Sequence, residues 1–247
     1  MSHTELEVGP AAGRPRVTVR TDGPRGRGHL GVRVLDVGHD RVRVALVAEG
    51  ALLVAGDDVS VGMRVGSGLR LEVVEPAGTV AFGMRGGSAR WAAAADVADG
   101  GELVWRAEPF VVAAGAVVHR DVRVVLAGSG TALLREVLVL GRVREGGGVL
   151  DQRLRVLGPA GPLLAEDLHL DGARPRVGVL GAYRVVDSVS LLGRRAIGTT
   201  TPPGAHRLEL DDAGTVLRHC GDQTHTSPLD EAWVGLAAAH RPTAVPA

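Results

Sequence analysis

Short runs of alternating apolar and polar residues dominate this chain. Residues 120–126 alternate in this way, which is the pattern of a strand with one buried face. Gly128-Ser129-Gly130 follows, and its glycines can adopt the positive φ angles that a tight turn needs. Residues 131–140 are apolar on both faces, which predicts a strand buried on both sides. The two runs predict a hairpin, and we expect the rest of the chain to be organised around it.

The same strand–turn–strand pattern recurs along the chain with a nearly constant spacing. Its turns centre on Gly38, Ser67, Gly100, Ser129 and Ala160, which are 29, 33, 29 and 31 residues apart. Such a period is typical of stacked units that share one core. Irregular antiparallel proteins with turns roughly every 8–12 residues produce similar spacings by accident, so true repetition stays open. Either way, the pattern predicts a mainly β fold of stacked antiparallel hairpins with a solenoid-like arrangement.

One helix is predicted, near the C-terminal end. Residues 228–240 begin with a proline and carry two acidic residues in the first turn. Leu229, Trp233 and Leu236 then recur at helical spacing, so one face of this helix should be buried.

No Ser/Pro-rich linker divides the chain, which favours a single β domain over residues 29–242. Residues 1–28 are rich in Gly, Pro and Arg and are predicted to form a flexible basic flank. A short alternating run at residues 16–20 within it is a candidate edge strand. Residues 243–247 are predicted to be a disordered tail.

Composition excludes several classes of protein. The chain contains no lysine, so Walker-A phosphate loops and Schiff-base lysine chemistry are impossible. The chain has 28 basic and 28 acidic residues, so its net charge does not indicate binding to nucleic acids or membranes. No secretory signal or long apolar run is found. A lone cysteine, Cys220, suits a reducing compartment, and we expect a cytoplasmic protein.

Two nucleotide-related patterns are rejected. Residues 26–31 match the dinucleotide fingerprint G-x-G-x-x-G, but the residues after them predict a strand, whereas the fingerprint needs a helix there. The arginines before residue 28 resemble a nucleic-acid footprint, yet no aromatic residue precedes Phe82. We therefore expect no nucleic-acid partner.

One group of residues near the C-terminus has the composition of a metal site. His219, Cys220, Asp222 and His225 are all competent ligands, and sulfur with imidazole suits nickel, copper or zinc. The alternative is that Cys220 continues the apolar face of its strand and contributes only packing.

Three carboxylates are the other candidates for chemistry. Glu136 is alone in an apolar row, so it needs a partner, a file of water or a cation. An ion pair with an arginine such as Arg142 is the structural alternative. Asp57 follows an apolar run and is a candidate ligand or a strand-entry turn, and Glu108 is the third candidate.

Several stretches, taken together and in order, resemble the UreD (also called UreH) family of urease accessory proteins. The resemblance covers roughly residues 40–242. The stretches are the apolar run that ends at Asp57-Asp58, residues 65–78, residues 105–115, the run REVLVLGR at residues 135–142, and the run VLRHCGD at residues 216–222 followed by the tryptophan-bearing helix and Arg241-Pro242.

The resemblance implies a non-enzymatic scaffold with an almost all-β fold. It implies binding to apo-urease and to a UreF-like protein and, through the latter, to a UreG-like GTPase. It also implies a role in nickel delivery, with no tightly bound cofactor and with nickel in transit. Glu136 is then the first candidate to line the nickel path, with Asp57 and Glu108 as weaker ones.

Two other functions stay open at this point. One is a generic all-β protein-binding scaffold without a metal role. The other is a metalloenzyme that uses His219, Cys220 and His225. Under the accessory role, Glu136→Ala should lower urease activation without disrupting the complex.

Overall fold

The computed structural model describes residues 1–24, 28–50 and 52–239, which form two stacked β-sheets and one α-helix. This confirms the prediction of a mainly β, solenoid-like fold with a C-terminal helix. The elements are β1 (Ser2–Gly9), β2 (Arg16–Asp22), β3 (His29–Val37), β4 (Arg41–Glu49), β5 (Asp58–Val65), β6 (Arg70–Val74), β7 (Thr79–Ala81), β8 (Ala89–Val97), β9 (Glu102–Arg106), β10 (Phe110–Val112), β11 (Val117–Leu126), β12 (Thr131–Leu140), β13 (Val149–Gly158), β14 (Gly161–Asp171), β15 (Val185–Leu192), β16 (His206–Glu209), β17 (Gly214–Gly221) and α1 (Leu229–Ala239).

The first sheet has the strand order β14-β13-β11-β8-β5-β1-β2. The second has the order β16-β17-β15-β12-β9-β6-β4-β3, and the short strand β10 pairs with β12 on one side and with β7 on the other. In the middle of the stack the chain alternates between the sheets, so that β5, β8 and β11 lie in the first and β6, β9 and β12 in the second. Each circuit of the chain is therefore one coil of a solenoid.

The predicted hairpin around Ser129 is wrong in its pairing. β11 pairs in parallel with β8 and β13, whereas β12 pairs in parallel with β9 and antiparallel with β15. The glycine turn is a corner between sheets, because the buried rows of both strands face one interior. Alternation shows which face of a strand is buried but not whether the next strand lies beside it or opposite it.

The repeat itself is confirmed by the strand register. In the second sheet Val44 pairs with Val73, Val73 with Trp105 and Trp105 with Leu134, at offsets of 29, 32 and 29 residues. In the first sheet β5, β8, β11 and β13 pair at offsets of 32, 29 and 32 residues. One coil of the solenoid is therefore about thirty residues long.

The outer face of the second sheet is covered by α1. Leu229, Trp233 and Leu236 pack there against Leu133 and Leu217. This packing explains why β12 is apolar on both faces, and it confirms the predicted helix and doubly buried strand. No helix in the described part of the chain is long and apolar enough to cross a bilayer.

The N-terminal segment differs from the flexible flank that was predicted for residues 1–28. β1 pairs in parallel with β5, and β2 closes that edge of the sheet, so the candidate edge strand is confirmed. The buried row of β1 includes Ser2 and Thr4 beside its apolar residues, which hides the strand in the sequence. Residues 25–27, which include part of the rejected fingerprint, and residues 243–247 lie outside the described residues.

Candidate functional site

Acidic side chains gather in the solenoid where two successive coils are interrupted. Residues 75–78 separate β6 from β7, and residues 107–109 separate β9 from β10, while β12 runs unbroken beside β9 and β10. Backbone hydrogen bonds continue the parallel register across the interruptions. This stacking brings Glu75, Glu108 and Glu136, which belong to three successive coils, to nearly the same position along the strand direction.

Arg120 reaches this position from the opposite sheet. It lies on β11, in the buried row, and only 4% of its surface is exposed. Its Nη1 donates hydrogen bonds to Oε1 of Glu136 at 2.5 Å and to Oε1 of Gln152 at 2.7 Å. The side chain of Glu136 is 12% exposed, so this is an ion pair across the interior. Pairing of this kind offsets part of the cost of burying each charge.

The predicted alternative partner of Glu136 was Arg142, and the structure gives Arg120 instead. Arg142 lies beyond the end of β12 and forms an ion pair with Glu145 at 2.9 Å. Arg120 carries a signal in the sequence, because it is a charge in the row of Val122 and Val124.

Aromatic rings enclose the Arg120 guanidinium. It lies 4.6 Å from the ring centroid of Trp91 and 5.3 Å from that of Phe110, both within the range of cation–π attraction. The Trp91 and Trp105 rings are 6.2 Å apart. Within the described residues, Trp91 Nε1 and Arg120 Nε are buried without a hydrogen-bond partner. The charge is thus held in a mostly apolar setting that leaves some polar atoms unsatisfied.

Glu75 is the member of this group that sequence analysis missed. Its Oε1 accepts a hydrogen bond from Trp105 Nε1 at 2.9 Å. Burial raises the pKa of Glu75 to about 7, and the negative charges of Glu108 and Glu136 act in the same direction. The hydrogen bond from Trp105 and the charge of Arg120 oppose the rise in the pKa. Near neutral pH, Glu75 therefore exists in both protonation states.

Glu108 connects this group to the surface. It raises the pKa of Glu75 by its charge, and it also borders a cavity of about 190 Å³. The other ionisable residues that line the cavity are Arg106, Arg135, Asp187, His225 and Asp230. Arg135 is buried and binds Asp187 at 2.9 Å and also Asp230 at the start of α1. The cavity is therefore a polar opening beside α1.

Asp57 lies elsewhere, in the turn before β5. Its Oδ2 accepts a hydrogen bond from the Val54 backbone N–H at 3.0 Å, and its own N–H donates to the Val54 carbonyl. Its strand-entry role is therefore clear from the geometry. A role for Asp57 as a ligand stays a prediction.

The C-terminal cluster is spread over two faces and a turn. The ring of His219 contacts the Gly204 carbonyl through Nδ1 at 2.8 Å, while Cys220 packs against the interior core. Asp222 and His225 follow the strand, and His225 is in a short 3-10 helix. Among residues 1–24, 28–50 and 52–239, no three His, Cys, Asp or Glu side chains are arranged to hold a metal ion.

Comparison with known proteins agrees with the resemblance. The UreD urease accessory protein family profile matches residues 25–245. A similar protein, Urease accessory protein UreD 1 of Streptomyces griseus, is 46% identical over 181 residues, covering 72% of this chain and 70% of that protein. Urease accessory protein UreD of Frankia alni is 36% identical over 209 residues, covering 74% and 70%. That of Streptomyces coelicolor is 33% identical over 212 residues, covering 78% and 81%. The chain therefore belongs to the UreD family of urease accessory proteins.

Proposed function

We propose that this chain is a non-enzymatic scaffold for urease maturation. It binds apo-urease and a UreF-like protein and, through the latter, a UreG-like GTPase. In that complex it assists the delivery of nickel to the urease active site in the cytoplasm. Nickel is cargo in this proposal, and no cofactor is bound tightly. Membership of the UreD family supports the accessory role.

The observation that carries the nickel step is the group formed by Glu75, Glu108 and Glu136. Glu136 forms an ion pair with the buried Arg120, and the charges of Arg120, Glu108 and Glu136 all act on the buried Glu75. Buried charges are costly, and apolar residues of similar size would often stabilise such a core better. Groups whose pKa is strongly perturbed by burial and by charged neighbours are candidates for function. We assign the group to the passage of a cation.

The chemistry of these side chains suits transit. Carboxylate oxygens are harder ligands than imidazole or thiolate, so they hold nickel less firmly than a His and Cys site would. Because its pKa is about 7, Glu75 can release a proton when a cation arrives and regain it afterwards. Arg120 keeps the net negative charge of the group low, which limits how tightly a cation is retained.

A generic all-β binding scaffold is the second candidate. It is favoured by the hydrogen bonds of Arg120, which satisfy Glu136 and Gln152 as a structural ion pair would. The two functions differ in what the chain binds and in what a neutral residue at position 136 does to urease.

Co-purification tests the scaffold role. The tagged full chain is expressed with urease subunits and the UreF-like and UreG-like proteins, and the eluted proteins are identified. Recovery of the accessory proteins together with apo-urease would support the proposal. Elution of the chain alone, soluble and monomeric, would overturn it and favour the generic scaffold.

A further inference from the structure

One corner of the solenoid differs from the other. Between β5 and β6, β8 and β9, and β11 and β12, the chain turns within four residues; these turns at residues 66–69, 98–101 and 127–130 form the tight corner. On the other side, four of the described loops return the chain from the second sheet to the first, and a fifth, at residues 172–184, leads from the first sheet to the second. The described loops there form the return corner, which comprises residues 52–57, 82–88, 113–116, 141–148 and 172–184.

The loops of the return corner form one continuous surface. Phe82 N–H donates to the Leu53 carbonyl at 3.0 Å, and Met84 N–H donates to the Gly115 carbonyl at 2.9 Å. Further along the stack, Ala114 N–H donates to the Glu145 side chain, and Gly172 N–H donates to the Gly148 carbonyl. Each loop is thus hydrogen-bonded to the next.

This surface exposes large apolar side chains. Val143 is 87% exposed and Val177 is 98% exposed. The tight corner has no exposed large apolar residue. The apolar residues exposed at the return corner are Val54, Phe82, Val143, Val177, Val179 and Tyr183.

The return corner is also basic. It contains six arginines and two acidic residues, Asp57 and Glu145. Both acids are engaged within the loops, since Asp57 binds the Val54 N–H and Glu145 binds Arg142 and the Ala114 N–H. The hydrogen bond from Arg142 lowers the pKa of Glu145 to about 2. The exposed arginines that give the surface its charge are Arg85, Arg144, Arg174 and Arg176.

Backbone conformation sets the same loops apart. In the described chain, the non-glycine residues with positive φ are Leu53, Arg85 and Arg144, at 58°, 47° and 66°, and all three lie in the return corner. The tight corner uses glycine for this conformation. A non-glycine residue with positive φ has a strained backbone, and such residues cluster at binding sites. Here two of the three place an arginine at an exposed loop tip.

We propose that the return corner is the docking surface for an acidic protein face with apolar residues at its centre. This proposal rests on the proposed function, since the partner is one of the proteins of the maturation complex. Positive charge around exposed apolar side chains matches such a face in both sign and composition. A second copy of this chain is a poor match, because two basic corners would repel each other.

Charge reversal at three exposed arginines tests the proposal. Arg85→Glu, Arg144→Glu and Arg176→Glu are combined in the full chain, which is co-expressed with urease and the accessory proteins. The control reverses three exposed strand arginines outside the corner, Arg16, Arg43 and Arg123. We expect recovery of one partner to fall roughly tenfold or more in the corner variant, and wild-type recovery to fall with added salt. We expect the control to bind like the wild type.

The outcomes separate the two proposals. Equal recovery by the corner variant and the wild type would overturn the docking surface and leave the proposed function standing. Recovery of no partner by the wild type itself would overturn the proposed function and the docking surface with it. Dimers of the chain that the corner variant abolishes, or flotation of the wild type with phosphatidylglycerol vesicles instead of partner capture, would overturn the acidic protein partner.

A single substitution guards against misfolding as an explanation. Arg144→Gly suits the positive φ at this position and removes only the side chain. We expect an unchanged unfolding midpoint, because relief of strain is offset by greater freedom in the unfolded chain. We also expect weaker partner binding. Undiminished binding by this variant would count against a role for Arg144 in the surface.

Discussion

Arg120 and Glu136 form an ion pair across the solenoid interior, from a strand of one sheet to a strand of the other. The arginine also binds Gln152 at 2.7 Å and stacks over two aromatic rings. This pair fixes the position of the carboxylate that we assign to the nickel path. Its energetics and its chemistry can be tested separately.

Removing only the arginine should be costly. In Arg120→Met, Glu136 keeps its charge in the interior without a cation, and we expect the free energy of unfolding to drop by about 3–5 kcal/mol. Replacing both residues, as Arg120→Met with Glu136→Leu, should recover most of the loss, because no unpaired charge remains. Urea unfolding measures both values. Arg123→Met, on the exposed face of the same strand, is the control, and an equal loss there would contradict the account.

Glu75 should make stability depend on pH. Its pKa is near 4.5 when the chain is unfolded and about 7 when it is folded, so the folded state binds the extra proton. The stabilisation from this proton is complete below about pH 4.5 and is lost as the pH rises through 7, an effect of roughly 3 kcal/mol.

Glu75→Gln should flatten that part of the pH profile. Urea midpoints between pH 5 and pH 8 would reveal the difference, and Glu72→Gln, on the outer face of the same strand, serves as a matched control. Parallel pH profiles for wild type and Glu75→Gln would show that the pKa of Glu75 is not raised by folding.

The helix depends on a buried ion pair beneath it. Asp187 is 1% exposed and binds Arg135, which also contacts Asp230 at the start of α1. We expect Asp187→Ala to destabilise the chain by about 3–5 kcal/mol, because it leaves Arg135 partly uncompensated. Hydrogen exchange should show the loss of protection first in α1. Glu231→Ala, in the same helical turn but exposed, should change neither quantity by much.

Cys220 should be an unreactive thiol. Burial raises its pKa, although the charge of Arg218 opposes this, so little thiolate forms at pH 8. We expect a thiol reagent to modify the native chain roughly tenfold or more slowly than the urea-unfolded chain. Equal rates would indicate an accessible thiolate and revive the metalloenzyme hypothesis for His219, Cys220 and His225.

The sequence was most informative about faces and spacing. Alternation identified the buried row of β11, and the thirty-residue period matches the offsets between parallel partners. It did not reveal that the turn at Ser129 joins two sheets, because a corner and a hairpin both need glycine and both follow alternating strands. The hairpin prediction therefore gave antiparallel neighbours where the structure has parallel ones. The buried residues are the same in both.

The candidate site was only partly predictable. Glu136 was identified because a charge stood alone in an apolar row, and Glu108 because of its place in a resembling stretch. Arg120, the partner of Glu136, is 16 residues away in sequence but lies on the opposite sheet. The ion pair could therefore not be predicted without the fold. Glu75 gave no periodic signal, since it follows the end of β6 in an irregular segment. Its significance comes from stacking against neighbouring coils.

The most direct test of the central claim is the nickel content of urease matured with Glu136→Gln. The amide can still accept a hydrogen bond from Arg120, so the fold and the complex should persist, while the charge that would meet the cation is lost. Urease purified after co-expression should contain several-fold less nickel than with the wild type or with the control Glu72→Gln, at equal recovery of the complex. Fully loaded urease in the Glu136→Gln sample would contradict a nickel path through this interior.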